Sequence, residues 1–394
     1  MSENRKIIEH GGVKYYKEKG QWYQLQMFPI EEDKVPDAIK IKSKFDLPPE
    51  IQLDVFKCLD FTQLLAVQQT NVYFKNFIYE HGKVLARKKF DKLEIFSVDD
   101  ENINFYKRQN YKFFKPELKF YDFELSEELE EKWNAAIEKS IPMFLESRCY
   151  AKEEKVLCEL YEQNFNDEKD LNYFYLSKYP KNIEEMKIAR YLFKLLFNCS
   201  FDYFLIYLGV INPQMIEVLF VDEIATNMPL QIHSQRAETC LREEHYLNFA
   251  WNHLVSNRFC IDIDDRFEEK NLNFLFKILA NGANKFSAVT YQHLNTKLYN
   301  LIIKHIETSQ DVAKMVKEIE FDTMYGPLIS SERAKNIEVT VENEFKTTKF
   351  QLVNKHNPKI EFSICIKEGG NINMGGYAVP DLIPAVVALI KRIN

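Results

Sequence analysis

The sequence of 394 residues predicts a mixed α/β fold in three successive parts: short helices, a strand–helix array and an antiparallel β part. Apolar residues recur at helical spacing between residues 46 and 90. Short apolar runs then recur about every 27 to 30 residues, with helical stretches between them. From residue 336 onward, apolar and polar residues alternate, which is typical of antiparallel strands.

The composition is that of a globular protein, with 46% hydrophobic and 28% charged residues. The net charge is −7 and the densest basic stretch, residues 83–92, is short, whereas nucleic-acid-binding proteins usually carry a basic stripe. No apolar run approaches the roughly 20 residues that cross a bilayer. The seven cysteines lack CxxC spacing, which fits reduced thiols. We therefore expect a protein of the cytoplasm, the nucleus or both that binds neither nucleic acid nor membranes.

The first 90 residues divide into three segments. Residues 1–30 contain two aromatic-rich runs that predict a small β-hairpin-like segment. Residues 31–45 are charged and predict a linker. Residues 46–90 predict three short helices: Pro48 and Pro49 suit the first N-terminus, and Thr62 and Asn71 are candidate N-caps of the other two. Three short helices make a thin core, so we expect this unit to expose apolar surface or to lean on a partner.

Residues 91–200 predict a connecting α+β region. Its clearest helix spans 126–139, where Ser126 is a candidate N-cap and two glutamates occupy the first turn. The other predicted elements are strands over 141–145 and 155–161 and a helix over 183–198.

Residues 201–335 predict the strand–helix array. Strands are expected around Leu205, Ile232, Ile261, Val289 and Ile319, and helices over 215–220, 246–254, 272–279 and 298–306. A strand–helix unit repeated at this period is typical of a stacked α/β array with leucine-rich-repeat-like geometry. The strict LxxLxL consensus is missing, so an ordinary α/β domain with evenly spaced strands is the alternative. Residues 336–394 predict a β-rich C-terminal part, with strands over 337–341, 350–353 and 360–366 and a terminal helix over 378–394.

The motifs of catalysis and metal binding are missing from the sequence. His245 and His253 could share a helix face, but neither an HExxH nor a CxxC motif accompanies them. The run at 262–265 begins like a calcium loop, but Phe267 stands where that loop requires Gly. Phosphate-binding and nucleophile-elbow motifs are missing as well. We therefore expect no metal, no cofactor and no catalytic residue.

Residues 46–78, DLPPEIQLDVFKCLDFTQLLAVQQTNVYFKNFI, resemble the F-box. The family pattern opens with Leu-Pro-x-Glu and an aliphatic residue, which Leu47, Pro48, Glu50 and Ile51 match. Phe74 stands where the family often has Trp, and the usual Leu-Trp close is missing. The later chain is similar to the C-terminal regions of the expanded nematode-type F-box proteins, through FYDFELSEELEEKW (120–133), YPKNIEEMKIARYLFKLLFNC (179–199), NPQMIEVLF (212–220) and SERAKNIEV (331–339).

The resemblance implies a substrate receptor of a ubiquitin ligase. The F-box would dock on the Skp-type adaptor of a cullin-RING ligase, and the C-terminal domain would capture a target protein. This role is not catalytic, because the receptor raises the effective concentration of a target lysine near a conjugating enzyme. We assign adaptor binding to one apolar stripe and Phe56, Val67, Phe74 and Phe77 to the core of the F-box. The predicted adaptor-binding residues are Leu47, Pro48, Ile51, Val55, Leu59, Leu64 and Leu65.

A second surface is predicted by strand alternation. If Ile261 and Ile263 point inward, Asp262 and Asp264 point outward. The same alternation exposes Glu320, Asp322 and Glu338. Our hypothesis is that these five carboxylates line one sheet face that binds a basic target segment, and the alternative is a merely solvated face.

Two other functional classes stay open at this point. One is a protein–protein interaction module that uses the F-box fold without ubiquitination. Cullin and RING subunits would co-purify with a ligase receptor but not with such a module. The other is an enzyme with an unrecognised α/β active site, which would require a deep pocket with convergent titratable groups.

Overall fold

The computed structural model confirms the mixed α/β class and divides into two compact units, Met1–Cys58 and Leu59–Asn394. It describes residues 7–10, 13–18, 21–25, 47–59, 61–82, 84–108, 112–146, 155–163, 169–206, 209–224, 230–241, 244–263, 265–325, 328, 331–342, 345–369 and 386–393. The predicted linker, residues 31–45, lies outside these ranges. The predicted domain boundaries at residues 30, 45, 90, 200 and 335 stay predictions.

Among its described residues, the first unit contains a three-stranded antiparallel sheet and one helix. The strands are β1 (Ile7–His10), β2 (Val13–Glu18) and β3 (Gln21–Leu25), and the helix is α1 (Pro49–Lys57). Strands β2 and β3 pair with Tyr16 opposite Tyr23, where the sequence predicts a hairpin, and β1 is an additional strand. Helix α1 starts with Pro49 as its first helical residue, as the missing N–H of proline favours.

The second unit holds the other helices and strands. Its helices are α2 (Phe61–Gln68), α3 (Val72–His81), α4 (Asp100–Arg108), α5 (Leu118–Tyr121), α6 (Glu127–Glu138), α7 (Ile183–Phe197), α8 (Pro213–Leu219), α9 (Val221–Ile224), α10 (Glu244–His253), α11 (Asp265–Asn281) and α12 (Thr296–Thr308). Its strands are β4 (Lys88–Val98), β5 (Lys112–Phe113), β6 (Phe144–Glu146), β7 (Lys155–Gln163), β8 (Lys169–Ser177), β9 (Cys199–Ile206), β10 (Gly209–Ile211), β11 (Ile232–Leu241), β12 (Leu254–Ile263), β13 (Phe286–Asn295), β14 (Glu318–Tyr325), β15 (Lys335–Glu342), β16 (Phe345–Val353), β17 (Glu361–Glu368) and β18 (Val386–Arg392).

Two of the predicted helix N-caps form in this unit. The Asn71 side chain accepts a hydrogen bond from the backbone N–H of Phe74 at 2.8 Å, ahead of α3. The Ser126 hydroxyl accepts from the N–H of Leu129 at 3.3 Å, ahead of α6. Each satisfies one of the N–H groups that a helix start leaves without an intrahelical partner.

One mixed sheet of thirteen strands organises the second unit. Its order is β15-β16-β17-β18-β14-β13-β12-β11-β9-β4-β7-β8-β5. The six middle strands, β4, β9, β11, β12, β13 and β14, are parallel. Their order across the sheet is the same as their order along the chain. Antiparallel strands extend both sides, and β6 pairs with β10 in a small separate sheet.

Helices cover one face of the parallel strands. Helices α8 and α9 connect β9 to β11, and α10, α11 and α12 connect the next three pairs of strands. Because the strand order is sequential, right-handed crossovers place successive helices on the same side of the sheet. Helix α10 contacts both α8 and α11, and α11 contacts α12, as a single layer requires. The core lies between this layer and the sheet, where Phe259, Ile261 and Tyr291 are fully buried.

The predicted C-terminal helix is wrong over residues 386–392, which form β18 between β14 and β17. Val386, Ala388 and Ile390 are buried and alternate with partly exposed residues. This period of two, together with β-branched side chains, favours a strand. Residues 378–385 of the predicted helix lie outside the described ranges.

Candidate functional site

An exposed apolar stripe runs along α1. Leu47, Ile51 and Val55 follow one another at a spacing of four residues and are 39%, 47% and 43% exposed, and Pro48 is exposed beside them. Gln52 and Phe56 are buried, and the Gln52 amide donates to the carbonyl of Leu47 at 2.6 Å. Helix α1 therefore offers Ile51 and Val55 on one face, and Leu47 lies just before its N-cap Pro48.

The structure corrects one member of the predicted stripe, Leu64. Leu64 on α2 is only 3% exposed, so its side chain is a core residue and not part of an exposed surface. Helix α2 contacts both α3 and β4, which explains this burial. Leu59 is half-buried, and the side chain of Leu65 lies outside what the structure describes.

The face of the parallel strands opposite the helices, here called the open face, carries most of the predicted carboxylates. Ile261 and Ile263 are buried and Asp262 is partly exposed, so the predicted alternation in β12 is confirmed. In register, Gln292 on β13 lies between Asp262 on β12 and Asp322 on β14. Glu320 lies on the same face of β14 as Asp322.

The open face is not the acidic surface that the sequence predicts. Arg258 binds Glu318 at 2.9 Å and Glu320 at 3.1 Å, and Lys391 binds Glu318 at 3.0 Å. Burial alone would raise the pKa of Glu318, but the hydrogen bonds from Lys391 and Arg258 outweigh it and lower this pKa. Asp322 accepts a hydrogen bond from Gln292 at 3.3 Å. The carboxylates on β14 therefore face cations and donors of the same chain.

One of the predicted target-binding residues, Glu338, is not brought to this cluster. Glu338 lies on β15, four strand positions from β14, which corresponds to about 19 Å at the usual strand spacing. Asp264 lies outside the described residues.

The same charge pattern continues on the other half of the open face. Arg236 on β11 lies 3.5 Å from Glu238 and over the ring of Tyr203, whose hydroxyl donates to Glu238. Lys92 on β4 binds Glu94 at 2.6 Å. The open face thus presents both signs of charge in close pairs, which suits a polar partner segment of mixed charge better than a purely basic one.

A cavity of about 360 Å³ opens where β4, β9, β11 and β12 begin, and His233 is part of its lining. Arg87 donates to the carbonyl of Phe197, and Lys89 binds Asp202 at 2.8 Å. The Nε2 atom of His233 is buried and has no hydrogen-bond partner among the described residues. Burial, with the nearby charge of Arg87, lowers the pKa of His233 to about 4. Its imidazole is therefore neutral near neutral pH.

We expect His233 to make the protein less stable in mild acid. The unfolded chain binds this proton with the ordinary pKa of about 6.5, so the free energy of unfolding should fall as the pH drops from about 6.5 towards 4. His233→Gln should reduce this fall, with urea unfolding measured at pH 7.5, 6 and 5. Above pH 7 the two proteins should show the same pH dependence. An equal acid dependence in both proteins would contradict the expectation.

Two buried thiols and a second cavity lie within the second unit. The part of the chain with assigned positions contains no group of three or more His, Cys, Asp or Glu that could hold a metal ion. Burial raises the pKa of the Cys158 and Cys260 thiols, which disfavours the reactive thiolate. A second cavity, of about 340 Å³, has a mainly apolar lining that includes Phe90, Phe174 and Leu196. Across the described ranges, no helix has the length and apolar character to cross a membrane.

Comparisons with known proteins leave the family open. A family model described as a domain of unknown function (DUF8381) matches residues 114–264, which is less than half of the chain. A search of curated proteins finds no match. One similar solved structure is a S-adenosylmethionine-dependent methyltransferase from Clostridium acetobutylicum ATCC 824, with 6% identity and a TM-score of 0.15 over 51% of this chain and 79% of that one. A TM-score this low supports neither a shared fold nor a shared activity.

Proposed function

We propose that the chain is an F-box substrate receptor, which docks on the Skp-type adaptor of a cullin-RING ubiquitin ligase and captures a target protein. The observation that carries this proposal is the exposed stripe of Leu47, just before α1, and Ile51 and Val55 on α1, at the start of the segment that resembles the F-box. Solvent-exposed aliphatic side chains in a row cost free energy, and a partner that covers them relieves this cost. Docking of an apolar helix face into a groove is a common mode of recognition.

The proposed adaptor-binding set is smaller than the predicted one. Leu47, Pro48, Ile51 and Val55 are exposed on one short segment. Leu64 is excluded because it is buried, and Leu59 and Leu65 stay as predicted members.

The parallel array supports the second half of the proposal, target capture. The sequential order of the parallel strands supports a leucine-rich-repeat-like array, in which a sheet face would be available to a partner. Because Arg258 and Arg236 alternate with carboxylates, we propose a target segment that carries both acidic and basic residues. The receptor would act in the cytoplasm, the nucleus or both.

The test is a pull-down of the full chain by a purified Skp-type adaptor. Leu47→Asp/Ile51→Asp should abolish binding, because docking would bury two carboxylates without partners. The matched control is Leu118→Asp/Leu301→Asp, which changes two exposed aliphatic residues on α5 and α12 and should bind like the wild type. Equal binding by both double variants, or no binding by the wild type, would contradict the proposal.

The alternative function is an interaction module that uses the same helices without ubiquitination. Such a module would use the F-box fold for another partner, so cullin and RING subunits would not co-purify with it. Under the proposal, cullin and RING subunits co-purify with the wild type and are lost with Leu47→Asp/Ile51→Asp. Adaptor binding without these subunits would favour the alternative.

A further inference from the structure

Strand β15 presents an exposed apolar edge. It is the terminal strand of the large sheet, and among the described strands it pairs with β16 alone. All eight of its residues are exposed, and Ile337, Val339 and Val341 are 59%, 55% and 71% exposed. Soluble proteins usually protect such edges with prolines, bulges, lysines or charges that point inward, because an unpaired edge is a template for another strand.

The apolar side chains of β15 continue the core-facing side of the sheet. Val339 lies opposite Thr348 on β16, and Thr348 lies opposite Ile366 on β17. Ile366 is buried, so this row reaches from the core to the exposed edge. Helix α12 contacts β14 and β16, so the helix layer reaches the strand next to β15.

We propose that β15 is a dimerisation edge, which pairs antiparallel with β15 of a second copy of this chain about a twofold axis at Val339. In this register Val339 faces Val339 of the second copy, and Ile337 faces Val341. Glu338 then faces Thr340, so no carboxylate lies directly opposite another. Moving the axis by one residue in either direction would place Glu338 opposite Glu338 or Glu342, and like charges in these positions destabilise a pair of strands.

The backbone of β15 leaves hydrogen-bonding groups available to a second copy. Glu342 pairs with Phe345 across a two-residue connection, and such hairpins are closed by a hydrogen-bonded pair. Pairs then alternate along the strand, so Val341 and Val339 direct their N–H and C=O groups away from β16. These groups are available to pair with a second copy, and the charges described above select the axis at Val339 among its neighbours. The pairing of β15 with β16 shifts register between Lys335 and Glu338, where the φ of Asn336 is 52°. The regular part of β15 is therefore limited to residues 337–342.

The test is the oligomeric state of the full chain in sedimentation velocity. The wild type should dimerise, and Val339→Lys and Val339→Asp should each weaken self-association at least about tenfold, because two like charges meet at the axis. An equimolar mixture of the two variants should restore the dimer, because Lys then faces Asp. Val72→Lys, at an exposed valine on α3, is the matched control and should dimerise like the wild type.

Several outcomes would overturn this proposal. One is a wild type that stays monomeric at its highest soluble concentration, and another is a dimer that both single variants retain. Dissociation of both variants without restoration in the mixture would exclude the axis at Val339. Capture of an extended peptide of alternating apolar residues by a monomeric wild type would assign the edge to a different protein. Circular dichroism should show all variants folded, because residue 339 is exposed in the monomer.

Discussion

Replacing Trp133 with alanine is expected to lower the free energy of unfolding by about 3–5 kcal/mol. Trp133 lies on α6, is fully buried, and donates from Nε1 to the carbonyl of Val218 at 3.0 Å. Phe123 packs edge-on against its ring. The substitution would leave a cavity where α6 contacts α7 and α8, and it would remove the donor to a carbonyl in the interior. Urea unfolding of the full chain measures the loss.

Two variants on the same helix separate the causes of this loss. Trp133→Phe keeps a ring in the cavity but removes the indole donor, so it should cost less than Trp133→Ala. Asn134→Ala changes an exposed neighbour and should leave the free energy of unfolding within about 0.5 kcal/mol of the wild type. A loss below about 1 kcal/mol for Trp133→Ala would mean that α6 is not held by this core.

The strand–helix array could be predicted because its pattern is local. The parallel strands β12, β13 and β14 include the predicted centres Ile261, Val289 and Ile319, and α10, α11 and α12 occupy the predicted helical stretches. Buried parallel strands appear in a sequence as short apolar runs, and each helix shows an apolar face. Both signals are contained in windows of about 18 residues or fewer.

Strand β4 was not predicted, although it lies within the large sheet. It begins with Lys88 and Lys89 and contains Lys92, and such a basic run predicts a solvated segment. The lysines are tolerated because Lys89 binds Asp202, Lys92 binds Glu94, and the ammonium group of Lys88 lies over the ring of Phe90. The available signal was the pair of buried positions Leu93 and Ile95, which alternate with Glu94.

The candidate surfaces could be predicted only in part. The spacing of Leu47, Ile51 and Val55 by itself predicts one helix face, and alternation predicts the outward direction of Asp262. The burial of Leu64 depends on its tertiary neighbours α3 and β4. The ion pair of Arg258 with Glu318 joins residues 60 positions apart and depends on strand register, which no local pattern contains.

Replacing Asp222 with alanine is expected to cost about 2–3 kcal/mol, through its effect on Arg190. The Arg190 side chain on α7 is 9% exposed, and Asp222 on α9 accepts two of its hydrogen bonds, both at 2.9 Å. Removing one partner of a buried pair typically costs 3–5 kcal/mol, because it leaves a charge in the interior without compensation. Asp222 is 47% exposed, so solvent screens part of the interaction and the expected loss is smaller.

Replacing the other partner of the pair, Arg190→Met, should lower the free energy of unfolding by less than Asp222→Ala. Methionine keeps an apolar chain between Phe123 and Phe220, whose ring centroids each lie 5.4 Å from the guanidinium carbon. It leaves Asp222 half-exposed, where water can solvate the carboxylate, although the carbonyl of Leu219 loses its donor. The double variant should therefore resemble Arg190→Met and be more stable than Asp222→Ala. The opposite result, in which Arg190→Met is the more destabilising change, would contradict this expectation. It would mean that the contact of α7 with α9 depends on the packing of the guanidinium and its hydrogen bond to Leu219, and not on its charge.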